Sequence, residues 1–273
     1  MKTRKDFILG GLGTLAVPYI GRSEPRRSML GAVGTDDDGS SDWVNPYVTD
    51  GMIAMWDGEW NMGGGVHISE TMKWKDICGN EPDLTPSDSL TPLEFSDRGL
   101  VTNSVIPQNS TSGRLFNNTA SSYTVECGFL NLRLNYNFPA FSNGKAGSTN
   151  GTRIVSYSFS VPPGNNTPVL CNVNNTQYNL SSTISVGDKT SFSISYDGSS
   201  AGVYHNGVLD STVGIGTSNP LTLLTIGGYL SWGNAYTEGC YSEYYFFRIY
   251  SRSLTAAEIA YNYSIDKERF GIM

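Results

Sequence analysis

Between Ser191 and Thr212 the stretch SFSISYDGSSAGVYHNGVLDST repeats with a period of two, and that period limits what the chain can become. Phe192, Ile194 and Tyr196 alternate with Ser191, Ser193 and Ser195, so a strand here has one apolar and one polar face. Asp197-Gly198 marks a turn. Asn206-Gly207 is the preferred pair for a two-residue hairpin, because both positions take positive φ. An antiparallel meander with one apolar face needs a second layer to cover it.

The same pattern extends along the chain. Met52 to Trp56 lies between Gly51 and Asp57-Gly58. Further β-favouring runs occupy 92–95, 99–106, 122–136, 152–161, 168–171, 190–196, 201–205, 208–213, 221–227 and 240–250. No repeat of roughly forty residues is present, which excludes a propeller. The expected fold is all-β, with two antiparallel sheets packed face to face and Trp56 and Trp74 in the core.

One segment departs from the pattern. Thr255-Ala256-Ala257-Glu258 reads as a capping box, with the threonine hydroxyl accepting from the backbone N–H of residue 258 and Glu258 reaching back to the cap. Ile259, Tyr263 and Phe270 follow as an apolar stripe, so a short C-terminal helix is expected to lie on the sandwich.

The net charge of -7 and pI near 4.8 argue against nucleic acid as a partner, since phosphate backbones require clustered Lys and Arg. The basic clusters fall instead within residues 1–42, read as an arm or leader plus polar linker ahead of a domain spanning 43–273. A basic head and an apolar run from Phe7 to Ile20 resemble an export signal. Thr3-Arg4-Lys5-Asp6-Phe7-Ile8 resembles a twin-arginine motif with lysine at the second arginine position. The run is broken by Gly10, Gly11, Gly13 and Pro18, and falls short of the about 20 apolar residues that a bilayer span needs. A competing reading is an anchoring arm that docks on another subunit or particle through Phe7, Ile8, Leu9, Arg26 and Arg27; a third is a disordered tail. In the stretch from Thr35 to Trp43, an EF-hand spacing would put Gly34 at the first ligand position, so it reads as linker. Cys78, Cys127, Cys171 and Cys240 form no CxxC pair, leaving disulfides and buried free thiols both open.

The segments DGMIAMWDGEWN (50–61), WKDICGN (74–80), YTVE (123–126), SISYDG and VYHNGVL (193–209), LTIGG (224–228) and FFRIYSRSLTAAEI (246–259) carry a family likeness. With them the chain resembles the concanavalin A-like lectin/glucanase superfamily, in its laminin-G-like branch. The resemblance implies a jelly-roll sandwich of the kind found on gut-bacterial and phage surface proteins, and hence an extracellular, cell-surface or virion-surface location. It also implies calcium as a candidate cofactor at one sandwich rim, where Asp197, Asp210 and Asn219 are the candidate ligands; solvated turn residues are the alternative reading. The family hosts lectins, adhesion modules, sialidase accessory domains and some glycoside hydrolases, so function has to be argued from a site.

Glycoside hydrolysis needs two carboxylates about 5–9.5 Å apart across the scissile bond. The one E-x-D here, Glu81-Pro82-Asp83, has no third carboxylate and contains a proline unsuited to a central strand. His67 and His205 are the only imidazoles, and both read as loop or turn residues. No enzyme is expected. Sugar recognition calls for an aromatic platform beside hydrogen-bonding groups, and the loop from Gly227 to Cys240 offers Tyr229, Trp232, Asn234 and Tyr236; the alternative is that these aromatics pack over the sheet edge. Relatives often carry a Gly-x-Ile-Asp-Glu-like strand after this loop, whereas this chain has Gly239-Cys240-Tyr241-Ser242-Glu243. The expected function is noncatalytic binding of a glycan or surface protein. The alternative is a virion or assembly decoration, or a homo-oligomer held by the arm.

Overall fold

A computed structural model of the chain describes residues 45–59, 74–79, 84–86, 94–96, 98–103, 107–109, 122–133, 138–143, 152–156, 167–173, 176–214, 224–226, 229–230, 236–237 and 241–273. All of them belong to one unit, Trp43–Met273. The strands are β1 (Met52–Asp57), β2 (Leu84–Pro86), β3 (Glu94–Phe95), β4 (Leu100–Asn103), β5 (Pro107–Asn109), β6 (Tyr123–Arg133), β7 (Phe138–Asn143), β8 (Thr152–Ser156) and β9 (Thr167–Val173). They continue as β10 (Thr176–Ile184), β11 (Lys189–Tyr196), β12 (Ser200–His205), β13 (Val208–Gly214), β14 (Leu224–Ile226), β15 (Tyr229–Leu230), β16 (Tyr236–Thr237) and β17 (Tyr241–Tyr250). One helix, α1 (Ala256–Phe270), follows.

Two antiparallel sheets form the body. The larger runs β13-β12-β11-β6-β17-β4-β3, and β1 also pairs with β17; the smaller runs β10-β9-β8-β7-β14-β5-β2. Strand β17 is long enough to take two partners on one edge, β4 along Tyr241–Tyr244 and β1 along Phe246–Tyr250. The sequence run 99–106 is therefore not one strand: its first part is β4 in the larger sheet, and β5 of the smaller sheet begins just beyond it. Strands β2, β7 and β10 were not expected, since the first two contain prolines and the third is a run of Asn, Ser and Thr without clean alternation.

The predicted alternation holds where it is strongest. Phe192, Ile194 and Tyr196 of β11, Val125, Cys127 and Phe129 of β6, and Tyr244, Phe247 and Ile249 of β17 are buried in one core with Val169, Leu180, Ile184 and Ile226 of the smaller sheet. Trp56 and Trp74 are completely buried there, as expected. The hairpin turn has φ of 49° at Asn206 and 75° at Gly207, the double positive φ that selects Asn-Gly.

The polar face of β11 is not left in water. Ser191, Ser193 and Ser195 are all buried, because α1 and its lead-in cover that side: Ser195 Oγ donates to Leu254 O at 2.9 Å and lies 2.7 Å from Ser253 Oγ. The capping box forms in full, Glu258 N donating to Thr255 Oγ1 at 3.3 Å and Thr255 N to Glu258 Oε2 at 2.8 Å. Gly271, in the left-handed region, closes the other end. Arg252 adds an ion pair that holds the Glu258 carboxyl down at about 2. Thr255→Ala is expected to cost about 1 kcal/mol in urea denaturation, through loss of the cap; an unchanged midpoint would mean that packing alone holds α1.

Register in the smaller sheet sets up two cross-strand rows. Gln177, Asn172, Arg153, Ser142, Thr225, Gln108 and Thr85 are mutual partners from β10 through to β2. A second series of partners runs Asn179, Leu170, Val155 and Pro139.

Candidate functional site

The most elaborate side-chain constellation among the described residues lies between the larger sheet and α1. Arg248 of β17 is 1% exposed, its guanidinium carbon 4.0 Å from the ring centres of both Tyr47 and Phe246. Its Nε donates to Glu126 Oε2 of β6 at 2.9 Å, and its two terminal nitrogens grip both oxygens of Asp266 on α1. Asn262, one turn earlier, donates to Glu126 Oε2 at 2.9 Å and accepts from Val48 N at 3.0 Å. Tyr47 Oη donates to Asp266 Oδ1 at 2.8 Å and accepts from Arg269 Nη1 at 2.6 Å, and Arg269 then takes both oxygens of Asp57.

Chemically this is a lock rather than a reaction centre. Burial pushes the Glu126 and Asp266 carboxyls up against the downward pull of Arg248. Both carboxylates are nearly inaccessible to solvent beneath α1. Sequence reasoning found the apolar part of the stripe, Ile259 and Phe270 being buried and Tyr263 half-buried. It missed that Asn262 and Asp266 continue the same face. The available signal was their spacing, three and then four residues on from Ile259, matched to a glutamate and an arginine inside otherwise apolar strands.

Asp197 and Asp210 are not brought together. Asp197 folds back on its own turn, accepting from the backbone N–H and hydroxyl groups of Ser199 and Ser200, which holds its carboxyl down at about 2. Asp210 sits at the bulge near the opposite, Val208 end of the β12–β13 ladder. It takes Ser181 N and Ser182 N at 2.9 Å each and also the Ser182 hydroxyl. Those N–H groups are freed where the β9–β10 register shifts between Asn179 and Thr183. Burial favours protonation of Asp210, but these bonds win and hold it below the ordinary carboxylate range. The contact joins the edges of the two sheets, with Tyr178 Oη donating to Gly214 O at 3.3 Å beside it. No cluster of three or more His, Cys, Asp or Glu side chains suited to a metal occurs among the described residues.

Of the other candidates, Tyr229 opens β15 and Tyr236 opens the paired β16, which brings their backbones into one two-stranded ladder. Trp232, Asn234 and Asn219 lie outside the described residues, as do His67, Glu81 and the arm residues Phe7, Ile8, Leu9, Arg26 and Arg27. His205 ends β12, stacked on Phe192 at 4.8 Å with Nε2 2.7 Å from Thr190 Oγ1; burial lowers its pKa. Cys78 and Cys127 are free thiols, burial raising Cys78 to about 11. No helix among the described residues is long and apolar enough to cross a membrane.

A laminin-G family profile, described as the concanavalin A-like lectin/glucanases superfamily, matches residues 106–260. The chain belongs to this superfamily. No curated protein matches it. Among solved structures, this concanavalin A-like domain is similar to a Trypanosoma rangeli sialidase mutant displaying trans-sialidase activity, at 15% identity and a TM-score of 0.57 over 80% of this chain and 33% of that one. The chain thus spans about a third of the sialidases it matches. It is similar to domain 4 of an extracellular arabinanase from Geobacillus stearothermophilus, solved with arabinotriose, at 17% identity and a TM-score of 0.53 over 77% of this chain and 96% of that domain. The binding domain of botulinum neurotoxin serotype D matches at 12% identity and a TM-score of 0.54 over 81% and 53%. At these identities the likeness is one of fold.

Proposed function

We propose that the protein is a noncatalytic binding module, displayed outside the cell or on a surface, that recognises a glycan. The observation that carries this reading is the use to which seven carboxylates among the described residues are put. Glu126 and Asp266 share Arg248, Asp57 and Glu59 share Arg269, Glu258 holds Arg252, and Asp197 and Asp210 serve their neighbouring backbone N–H groups. A glycosidase instead needs one acid free to donate a proton and one free to attack or to activate water. The solved arabinanase domain, similar over nearly its whole length, was captured with arabinotriose, which favours glycan over protein as the ligand.

A glycan array probed with the full chain, with and without added calcium, tests the proposal. Binding to at least one glycan class without its hydrolysis is the expected result. Silence across the array would end the glycan reading, and release of reducing ends would end the noncatalytic one. Copurification with a particle in place of any glycan would favour the assembly decoration anchored through residues 1–42.

A further inference from the structure

We propose that the end of the larger sheet beside the last turn of α1 is the surface through which two copies of this chain pair across a two-fold axis. Four of the five large apolar side chains exposed among the described residues gather there: Leu132 at 43%, Val208 at 69%, Leu209 at 50% and Met273 at 87%. Contacts join them into one band. Leu130, two residues before Leu132 on β6, packs with Tyr263 and Ile272 against the cluster around Phe270. Tyr263 also stands against the β12–β13 turn, where a Cβ on Gly207 would come within 2.8 Å of it. In that turn Asn206 Nδ2 donates to Met273 O at 2.6 Å, and Val208 and Leu209 follow directly.

Single apolar side chains scattered on a surface need no explanation, but a continuous band on the order of 400 Å² marks a contact site. With its polar rim it approaches the about 800 Å² that each partner of a stable pair buries. The rim says which partner. Asp188-Lys189, where the β10–β11 turn enters β11, and Lys267-Glu268 in the last turn of α1 flank the band. Lys189 Nζ donates to Phe270 O at 3.0 Å, which draws the two dyads to the same end of the sheet. Each dyad carries both signs. A phospholipid or nucleic-acid surface would call for clustered cations, and the net charge is -7. A second copy needs only a surface complementary to itself. Across a two-fold axis, the Lys267-Glu268 dyad of one copy meets the Asp188-Lys189 dyad of the other with each cation opposite an acid, while apolar band lies on apolar band.

Sedimentation velocity of the full chain should show a monomer–dimer equilibrium with a dissociation constant of about 1–100 µM. Val208→Glu and, separately, Leu132→Glu should each raise that constant about tenfold or more, with an unchanged circular dichroism spectrum. The combined exchange of Lys267→Glu and Glu268→Lys keeps the net charge and sets like charges opposite one another, so it should weaken the dimer by a similar factor. If one variant loses its secondary structure, the other two decide. A chain that stays monomeric at every concentration, a dimer indifferent to all three changes, or a dimer lost only on removal of residues 1–42 would overturn the inference. So would sedimentation with phosphatidylcholine vesicles in place of self-association. The glycan reading stands or falls separately, on the array.

Discussion

Arg248→Ala should destabilise the protein by about 3–5 kcal/mol, the cost of leaving buried carboxylates without their counter-ion. Glu126 and Asp266 are both nearly inaccessible to solvent, and each spends its best hydrogen bonds on this one guanidinium. Removing it also opens the slot between the Tyr47 and Phe246 rings. In a domain of this size the loss should appear as a fall of about 10 °C or more in melting temperature. The informative companion is the triple variant Glu126→Leu, Arg248→Met, Asp266→Leu. Apolar replacement of a whole buried ionic cluster is often neutral or stabilising by about 1–4 kcal/mol, so the triple variant should recover most of what the single one loses. If Arg248→Ala costs less than about 1 kcal/mol, water reaches these groups and α1 is not sealed down.

The reason to expect a lock rather than a catalytic relic is the set of elements it joins. Tyr47 and Val48 precede β1, Glu126 lies in the middle strand β6, Arg248 is on β17, and Asn262, Asp266 and Arg269 are on α1. One saturated network therefore ties the start of the domain to its end across the outer face of the larger sheet. An apolar stripe alone would let α1 slide along that face. Directional bonds from Arg248 to both Glu126 and Asp266 admit one register, a role for buried polar groups in conformational specificity that the triple variant tests through loss of a single, well-dispersed set of amide resonances.

Much of the fold was legible because alternation and turn chemistry are local. The β11–β13 meander could be read from serines alternating with Phe192, Ile194 and Tyr196 and from Asn206-Gly207, and the helix from its capping box. Strand β10 escaped because TQYNLSSTI has too few apolar residues to show a face; it is held as a strand by pairing with β9 and by Asp210, which sequence does not display. Glu126 and Arg248 escaped for a related reason. A charged residue at an outward strand position ordinarily meets water, and only the docking of α1, with Asp266 and Asn262 on its buried face, makes these two interior groups. The calcium candidates were chosen as turn acids, and turn acids are also the residues that satisfy their own turns, as Asp197 does.

Gly58→Ala should be the most damaging single methyl that can be added in the described part of the chain, at about 2–3 kcal/mol. Strands β1 and β4 abut the same edge of β17 end to end, and the joint is made of backbone. Gly58 N donates to Tyr245 O at 2.7 Å, and a Cβ on Gly58 would stand 2.0 Å from Arg98 O and 2.6 Å from Gly99 Cα. A Cβ on Gly99 would meet Tyr244 O at 2.2 Å, so neither side of the joint has room to yield. Rotating a side chain away cannot relieve a clash with carbonyl oxygens and Cα atoms. One strand must lift off β17 instead, with loss of ladder bonds near Phe246 and Tyr244, where the β6 side of β17 is already bulged. Gly214→Ala is the control. A Cβ there would meet nothing within 4 Å, so its urea midpoint should stay within about 0.5 kcal/mol of the unaltered chain. Equal midpoints for the two variants would show that β1 and β4 are not held end to end, and that the larger sheet tolerates a gap at its centre.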